Sequence, residues 1–116
     1  MTFDTFDSIK NEILDDINAI SKSKGTEYSN SEDRLANFKR VATDIELDPI
    51  KVCWVYFKKH LDAINYVVRG KKELSETFES RIKDAILYLI LLYALYVEKD
   101  QLWPEHPLVD VEKTQE

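Results

Sequence analysis

The chain has 116 residues, 44% of them hydrophobic and 33% charged, with a formal charge of −6 and a pI near 5.0. That length suits one domain around one core, and the acidic balance argues against a nucleic-acid backbone as the main partner, because phosphate binding needs a clustered positive surface. Cys53 is the single cysteine, which excludes an internal disulfide and a Cys-rich metal site.

The start, Met1-Thr2-Phe3-Asp4, has neither the basic residues nor the apolar run of a signal peptide, so a cytoplasmic location is expected. Phe6, Ile9, Ile13, Ile17 and Ile20 then recur at spacings of three and four, predicting an amphipathic helix over residues 5–23 that Lys24-Gly25 ends. Its stripe is narrow, as on a helix at the surface of a bundle or one that pairs with another chain. The connection after Ser23 is long enough to carry a site. Ser29 and Glu32 have the offset of a capping box, and from there a second helix is expected to bury Leu35, Phe38, Ala42 and Ile45.

Asp48-Pro49 is an N-cap residue followed by proline at the first helical position. It predicts a third helix over residues 49–69, carrying Val52, Cys53, Tyr56, Phe57, Leu61, Ile64, Val67 and Val68 and stopped by Gly70. Cys53 reads there as a small buried hydrophobe. The nearest approaches to basic patches, Lys58-Lys59-His60 and Arg69-Gly70-Lys71-Lys72, are short and read as a solvated helix face and a helix C-terminus. Ser75 is the expected N-cap of a fourth helix, which contains residues 85–97, thirteen apolar or aromatic residues without interruption. A bilayer span needs about 18 or more, and Arg81, Lys83 and Asp84 on one side and Glu98, Lys99 and Asp100 on the other close this run. A helix apolar all round is surrounded by protein; few residues remain here to surround it, so self-association is expected.

Pro104 and Pro107 prevent continuation of the helix. The reading is therefore an all-α, four-helix bundle-like domain over residues 1–101, with a long apolar C-terminal helix, assembled into a homo-oligomer. Residues 102–116 form a Pro-containing acidic tail, partly disordered, whose Trp103, Leu108 and Val109 are free to dock. No alternating stretch, internal repeat or low-complexity segment points elsewhere.

Lys59, Asp62 and Tyr66 share one face of the third helix, and His60 points elsewhere, nearer Ile64; Arg81, Asp84 and Tyr88 share a face of the fourth. A short connection makes the two helices antiparallel neighbours, which brings Asp62 and Asp84 toward the same end. One reading is ordinary surface pairs worth at most about 0.5 kcal/mol each. The other is a ligand site in which Lys59 and Arg81 hold phosphate oxygens, Asp62 and Asp84 hold a divalent cation or a ribose hydroxyl, and Tyr28 offers a stacking face.

The residues Lys24-Gly25-x-Glu27-Tyr28, Asn37-Phe38, Asp48-Pro49-x-x-Val52, Lys59-His60-x-Asp62-Ala63-Ile64 and Arg81-Ile82-x-Asp84-x-x-x-Tyr88 resemble a group of small phage-encoded, all-α proteins described as MazG-like or nucleotide-modification-associated. The resemblance spans residues 22–98. It implies a phage or prophage origin, a location in the host cytoplasm and a nucleotide or nucleotide-derived ligand. MazG-type pyrophosphohydrolases resemble one another in an E-x-x-E pair and an E-x-x-D pair that aim carboxylates at Mg²⁺. Here Glu73-Leu74-Ser75-Glu76 has the first spacing in a turn, and Arg81-Ile82-Lys83-Asp84 puts arginine where the second needs glutamate.

Binding is therefore expected ahead of catalysis, including capture of a host defence signal. The alternatives are a Mg²⁺-dependent nucleotide pyrophosphohydrolase using Glu27, Asp62 and Asp84, and an interaction module contacting a host factor through the Trp103 tail. No nucleic acid and no membrane is expected as partner. His60 and His106 are the only histidines, and Gly25 and Gly70 are solitary, so a His-based centre and a Gly-rich phosphate loop lack support. If the apolar helix assembles, the charged turn of Arg81 and Asp84 falls near another chain, giving a site shared between subunits.

Overall fold

The computed structural model describes residues 1–28, 33–72 and 75–100, with side chains outside 24–28. Four helices and no strand are found among them, in agreement with the all-α expectation: α1 (Phe3–Tyr28), α2 (Ala36–Ile45), α3 (Pro49–Val68) and α4 (Phe78–Asp100).

The Thr2 hydroxyl accepts from Thr5 N–H at 3.1 Å and starts α1 two residues before the expected position. The helix does not stop at Gly25 but continues to Tyr28. Glycine inside a helix costs about 1 kcal/mol relative to alanine, which permits a stop without imposing one. The segment expected to be a loop is thereby helical as far as Tyr28, and the Ser29 and Glu32 capping box lies outside the described residues. α2 begins instead behind Asp33, whose carboxylate accepts from Leu35 N–H at 2.9 Å. Glu46, left-handed at φ 58°, ends α2, and Leu47 N–H closes it on Ala42 carbonyl at 3.0 Å.

α3 follows its sequence signals closely. Asp48 accepts from Ile50 N–H at 2.9 Å, Pro49 opens the helix, and Gly70 at φ 87° closes it by donating to Val67 carbonyl at 2.9 Å. The cap of α4 is Thr77, whose hydroxyl accepts from Ser80 N–H at 3.1 Å, rather than Ser75.

α4 is the central element, with α3 on one side, α1 on another and α2 packed over α3. α3 and α4 are antiparallel: Lys99 near the end of α4 donates to Asp48 at 2.6 Å, and Cys53 lies against Tyr88 carbonyl. The core comprises Ile17, Leu35, Phe38, Ala42, Val52, Cys53, Leu87, Leu91 and Leu95. Three partly covering neighbours do not surround α4, and the apolar run is buried on one side only; Leu89, Ile90, Tyr93 and Tyr96 are 46–59% exposed. Ile45, Leu61 and Val68, expected inside, are exposed, because each lies at the edge or end of its stripe beyond the reach of a neighbouring helix. No helix among the described residues is long and apolar enough to cross a membrane. The tail, residues 102–116, lies outside the described residues.

Candidate functional site

A cleft of about 310 Å³ opens where α2, α3 and α4 meet. Arg34, Asn37 and Phe38 line it from the α2 side, Lys59 and His60 from α3, Glu76 from the turn before α4, and Asp84, Leu87, Tyr88 and Leu91 from α4. Positions 84, 87, 88 and 91 fall at helical offsets of three and four, so one face of α4 supplies both a carboxylate and the apolar floor.

Aromatic contacts set the walls. The Tyr88 ring lies 4.8 Å from that of His60 and 6.2 Å from that of Phe38, and Phe38 also meets Tyr56 at 6.1 Å. Arg40 donates to the Asn37 side-chain oxygen at 2.7 Å, which leaves the amide NH₂ as the donor of that side chain. Two cations and two carboxylates thus share a cleft with three aromatic or imidazole rings. Arg81 does not line it but pairs with Glu76 at 3.4 Å and holds that carboxylate.

Of the residues singled out in the sequence, Lys59, Asp84 and Tyr88 come together here. Asp62 does not join them: it is exposed, and it follows inward-facing His60 by two residues, about 200° around the helix. The expectation that His60 points away is reversed, since it is buried against Tyr88 while Lys59 occupies the cleft's rim. The Tyr28 side chain lies outside those described.

Arg34, Asn37, His60 and Glu76 were not foreseen as site residues. Asn37-Phe38 and Lys59-His60 stand within the segments carrying the family resemblance, which was the available signal. Arg34 had none, and Glu76 stood out only as the second glutamate of the E-x-x-E spacing, because each precedes its helix and reaches the cleft through tertiary packing.

The donor set decides whether Mg²⁺ fits. Among the described residues the cleft offers only Glu76 and Asp84 as carboxylates, beside Arg34 and Lys59, and Glu76 is engaged by Arg81. A hard divalent cation needs an oxygen-rich shell without competing ammonium groups, and the four-carboxylate arrangement is not assembled there. A second acidic group, Glu12, Asp16 and Glu79, has its oxygens within 4.8 Å of one another, but Lys83 reaches Asp16 at 2.6 Å and Glu79 at 3.3 Å. The Asp16 carboxylate raises the Lys83 pKa, and Glu79 adds to the effect. That ammonium thus engages two of the three carboxylates.

Other ion pairs brace the cleft from outside. Lys39 bridges Asp33 and, at 2.6 Å, Glu98, tying α2 to the last turns of α4. Asp33 raises the Lys39 pKa most, then Glu98; Asp33 in turn is lowered by Lys39 and by Leu35 N–H. Behind Tyr88, burial pushes the Cys53 thiol up to about 11. The thiol is thus an inert core group rather than a nucleophile.

No family model matches the sequence, and neither the curated proteins nor the solved structures contain a match.

Proposed function

We propose that this chain is a helical binding protein whose cleft captures a nucleotide or a nucleotide-derived small molecule. The observation that carries the reading is the convergence of Arg34 and Lys59 on a cleft walled by Phe38, His60 and Tyr88. In this reading the cations hold phosphate oxygens, Arg34 by its planar fork and Lys59 as a point charge. The rings offer stacking faces to a base. Asp84 accepts from a sugar hydroxyl, and the Asn37 amide donates to a ring or phosphate oxygen.

Capture is favoured over hydrolysis because the carboxylates share the cleft with cations and Arg81 holds Glu76. The phage-type role of sequestering a host defence signal in the host cytoplasm belongs to the same proposal and rests on the sequence resemblance. Self-association is part of it too, supported by the exposed apolar side of α4.

The test is a thermal-shift and calorimetric screen of nucleotides, cyclic nucleotides and dinucleotides, with and without Mg²⁺. A bound nucleotide at 100 times its Kd adds about 2.7 kcal/mol to stability, and it should be recovered unmodified after denaturation. Binding should be lost in Arg34→Ala and Lys59→Ala, whose own melting temperatures stay close to that of the parent. Release of phosphate or pyrophosphate would replace capture with catalysis, and absence of any shift across the screen would remove the reading.

A further inference from the structure

Every residue from Met1 to Glu12 is exposed, although α1 begins at Phe3. The turns of helix ahead of Glu12 therefore face solvent. They are not uniformly polar: Phe3 is 91% exposed, Phe6 56% and Ile9 42%. Phe6 and Ile9 continue the stripe that, one turn later, places Ile13, Ile17 and Ile20 against the core. The arm is the extension of a docked helix, with its apolar stripe left uncovered.

A second uncovered apolar feature lies on the side of α4 away from the cleft. Ile50 and Trp54 of α3, with Leu89, Leu92, Tyr93 and Tyr96 of α4, line a groove of about 380 Å³. On the surface of α3, exposed Lys51 and Lys58 flank Trp54 at offsets of three and four. The arm carries Asp4, Asp7 and Glu12 against one lysine, Lys10, which pairs with Asp7 at 3.6 Å, so its side chains remain net acidic and complementary to that rim.

The arm cannot fill its own groove. Lys83 and Asp16 pin α1 to the first turns of α4, where the Glu12 and Glu79 carboxylates lie within 4.8 Å. The groove starts at Leu89, ten residues beyond Glu79, or about 15 Å at the helical rise. A continuous helix fixed at that point does not fold back on itself.

We propose that the arm of one chain lies in the groove of a second copy, with the exchange made reciprocally in a closed two-fold dimer. This specifies the self-association above and is independent of what the cleft binds. The mode is an amphipathic helix seated in an apolar groove, with Phe3, Phe6 and Ile9 as anchors. Two such contacts form at once, and the symmetry leaves no apolar stripe over for further growth. At about half of the 150–250 Å² that an aromatic side chain offers, Phe3, Phe6, Trp54, Tyr93 and Tyr96 on both copies, together with the aliphatic residues, cover on the order of 1,200 Å². That is the lower bound of a stable interface.

Sedimentation and light scattering of the full chain should give a dimer. Phe6→Glu in the arm and, separately, Trp54→Glu in the groove should each weaken it at least tenfold, with helical circular dichroism unchanged because both side chains are exposed in the single chain. Chains carrying only Phe6→Cys, mixed with chains carrying only Tyr93→Cys, should form a disulfide-linked heterodimer under mild oxidation. A parent chain that stays monomeric overturns both the exchange and self-association. A dimer that survives Phe6→Glu overturns the exchange alone. A monomer that dimerises only with Trp103→Ser assigns the groove to the chain's own tail and also overturns it. Nucleotide binding, read by thermal shift on the same samples, stands or falls separately.

Discussion

The ring of Tyr88 lies 4.8 Å from that of His60, inclined by 38°, and joins α4 to α3 at the wall of the cleft. Because Tyr88 also meets Phe38 at 6.2 Å, one side chain links three helices. Tyr88→Ala should cost about 2 kcal/mol in urea denaturation, below the range for a fully buried aromatic because Tyr88 is half-buried. Tyr88→Phe keeps the ring contacts and should recover most of that loss. Equal losses in the two variants would show that the hydroxyl, not the ring, joins the helices.

Asp48 serves two elements. It caps α3 through Ile50 N–H and receives Lys99 from α4. Asp48→Ala should destabilise by about 1 kcal/mol through loss of the cap. Asp48→Asn preserves the cap and should fall between Asp48→Ala and the parent, with the difference from the parent reporting the Lys99 contact. Thermal unfolding at low and high salt separates the two, since only the ion pair is screened.

Acid should unfold the protein through the same carboxylates. Lys99, followed by Ile50 N–H, lowers the Asp48 pKa below its ordinary value, and Lys39, followed by Leu35 N–H, does so for Asp33. A carboxyl with a lower pKa in the folded than in the unfolded chain contributes stability above its unfolded pKa of about 3.9, and this is lost as pH falls through the folded value. The melting temperature should be flat with respect to these groups near neutrality and decline below about pH 4. In the Asp33→Asn, Asp48→Asn double variant that decline should be shallower.

Cys53 provides a probe of opening. Its thiol approaches Tyr88 carbonyl at 3.9 Å and is raised by burial to about 11. At pH 8 the native chain should resist thiol reagents, while the unfolded chain, with a thiol pKa of about 8.5, reacts at the rate of a free cysteine. Fast stoichiometric labelling of the native chain would contradict the packing of α3 on α4.

How much of this was legible follows from where each signal resides. α3 was readable because its cap, its opening proline and its closing glycine are local, and each acts on its own backbone. Gly25 misled because glycine removes a preference without forcing a turn. Ser75 and Thr77 are both competent caps, and only the packing of Phe78 and its successors chooses between them. The cleft was half-readable: offsets along one helix bring Asp84 and Tyr88 to one face, but no spacing rule states that Arg34 and Glu76, each ahead of its helix, converge on Lys59. Asp62 shows the converse: its offset of three groups it with Lys59 along α3, yet of the two only Lys59 reaches the cleft.

Asp62 and Asp84 therefore separate the surface-pair reading from the site reading. Asp62 is exposed on α3 and outside the cleft, so Asp62→Ala should change stability by no more than about 0.5 kcal/mol and leave nucleotide affinity unaltered. Asp84 lines the cleft. If it accepts from a sugar hydroxyl, Asp84→Ala removes a charge-assisted hydrogen bond worth about 1.5 kcal/mol or more, which weakens binding about tenfold. Deoxynucleotides should then bind the parent more weakly than ribonucleotides and bind Asp84→Ala with no such preference, a coupling that loss of net charge alone does not produce. Equal sensitivity to both aspartates in calorimetry would contradict the placement of the ligand in the cleft, which Asp84 lines and Asp62 does not.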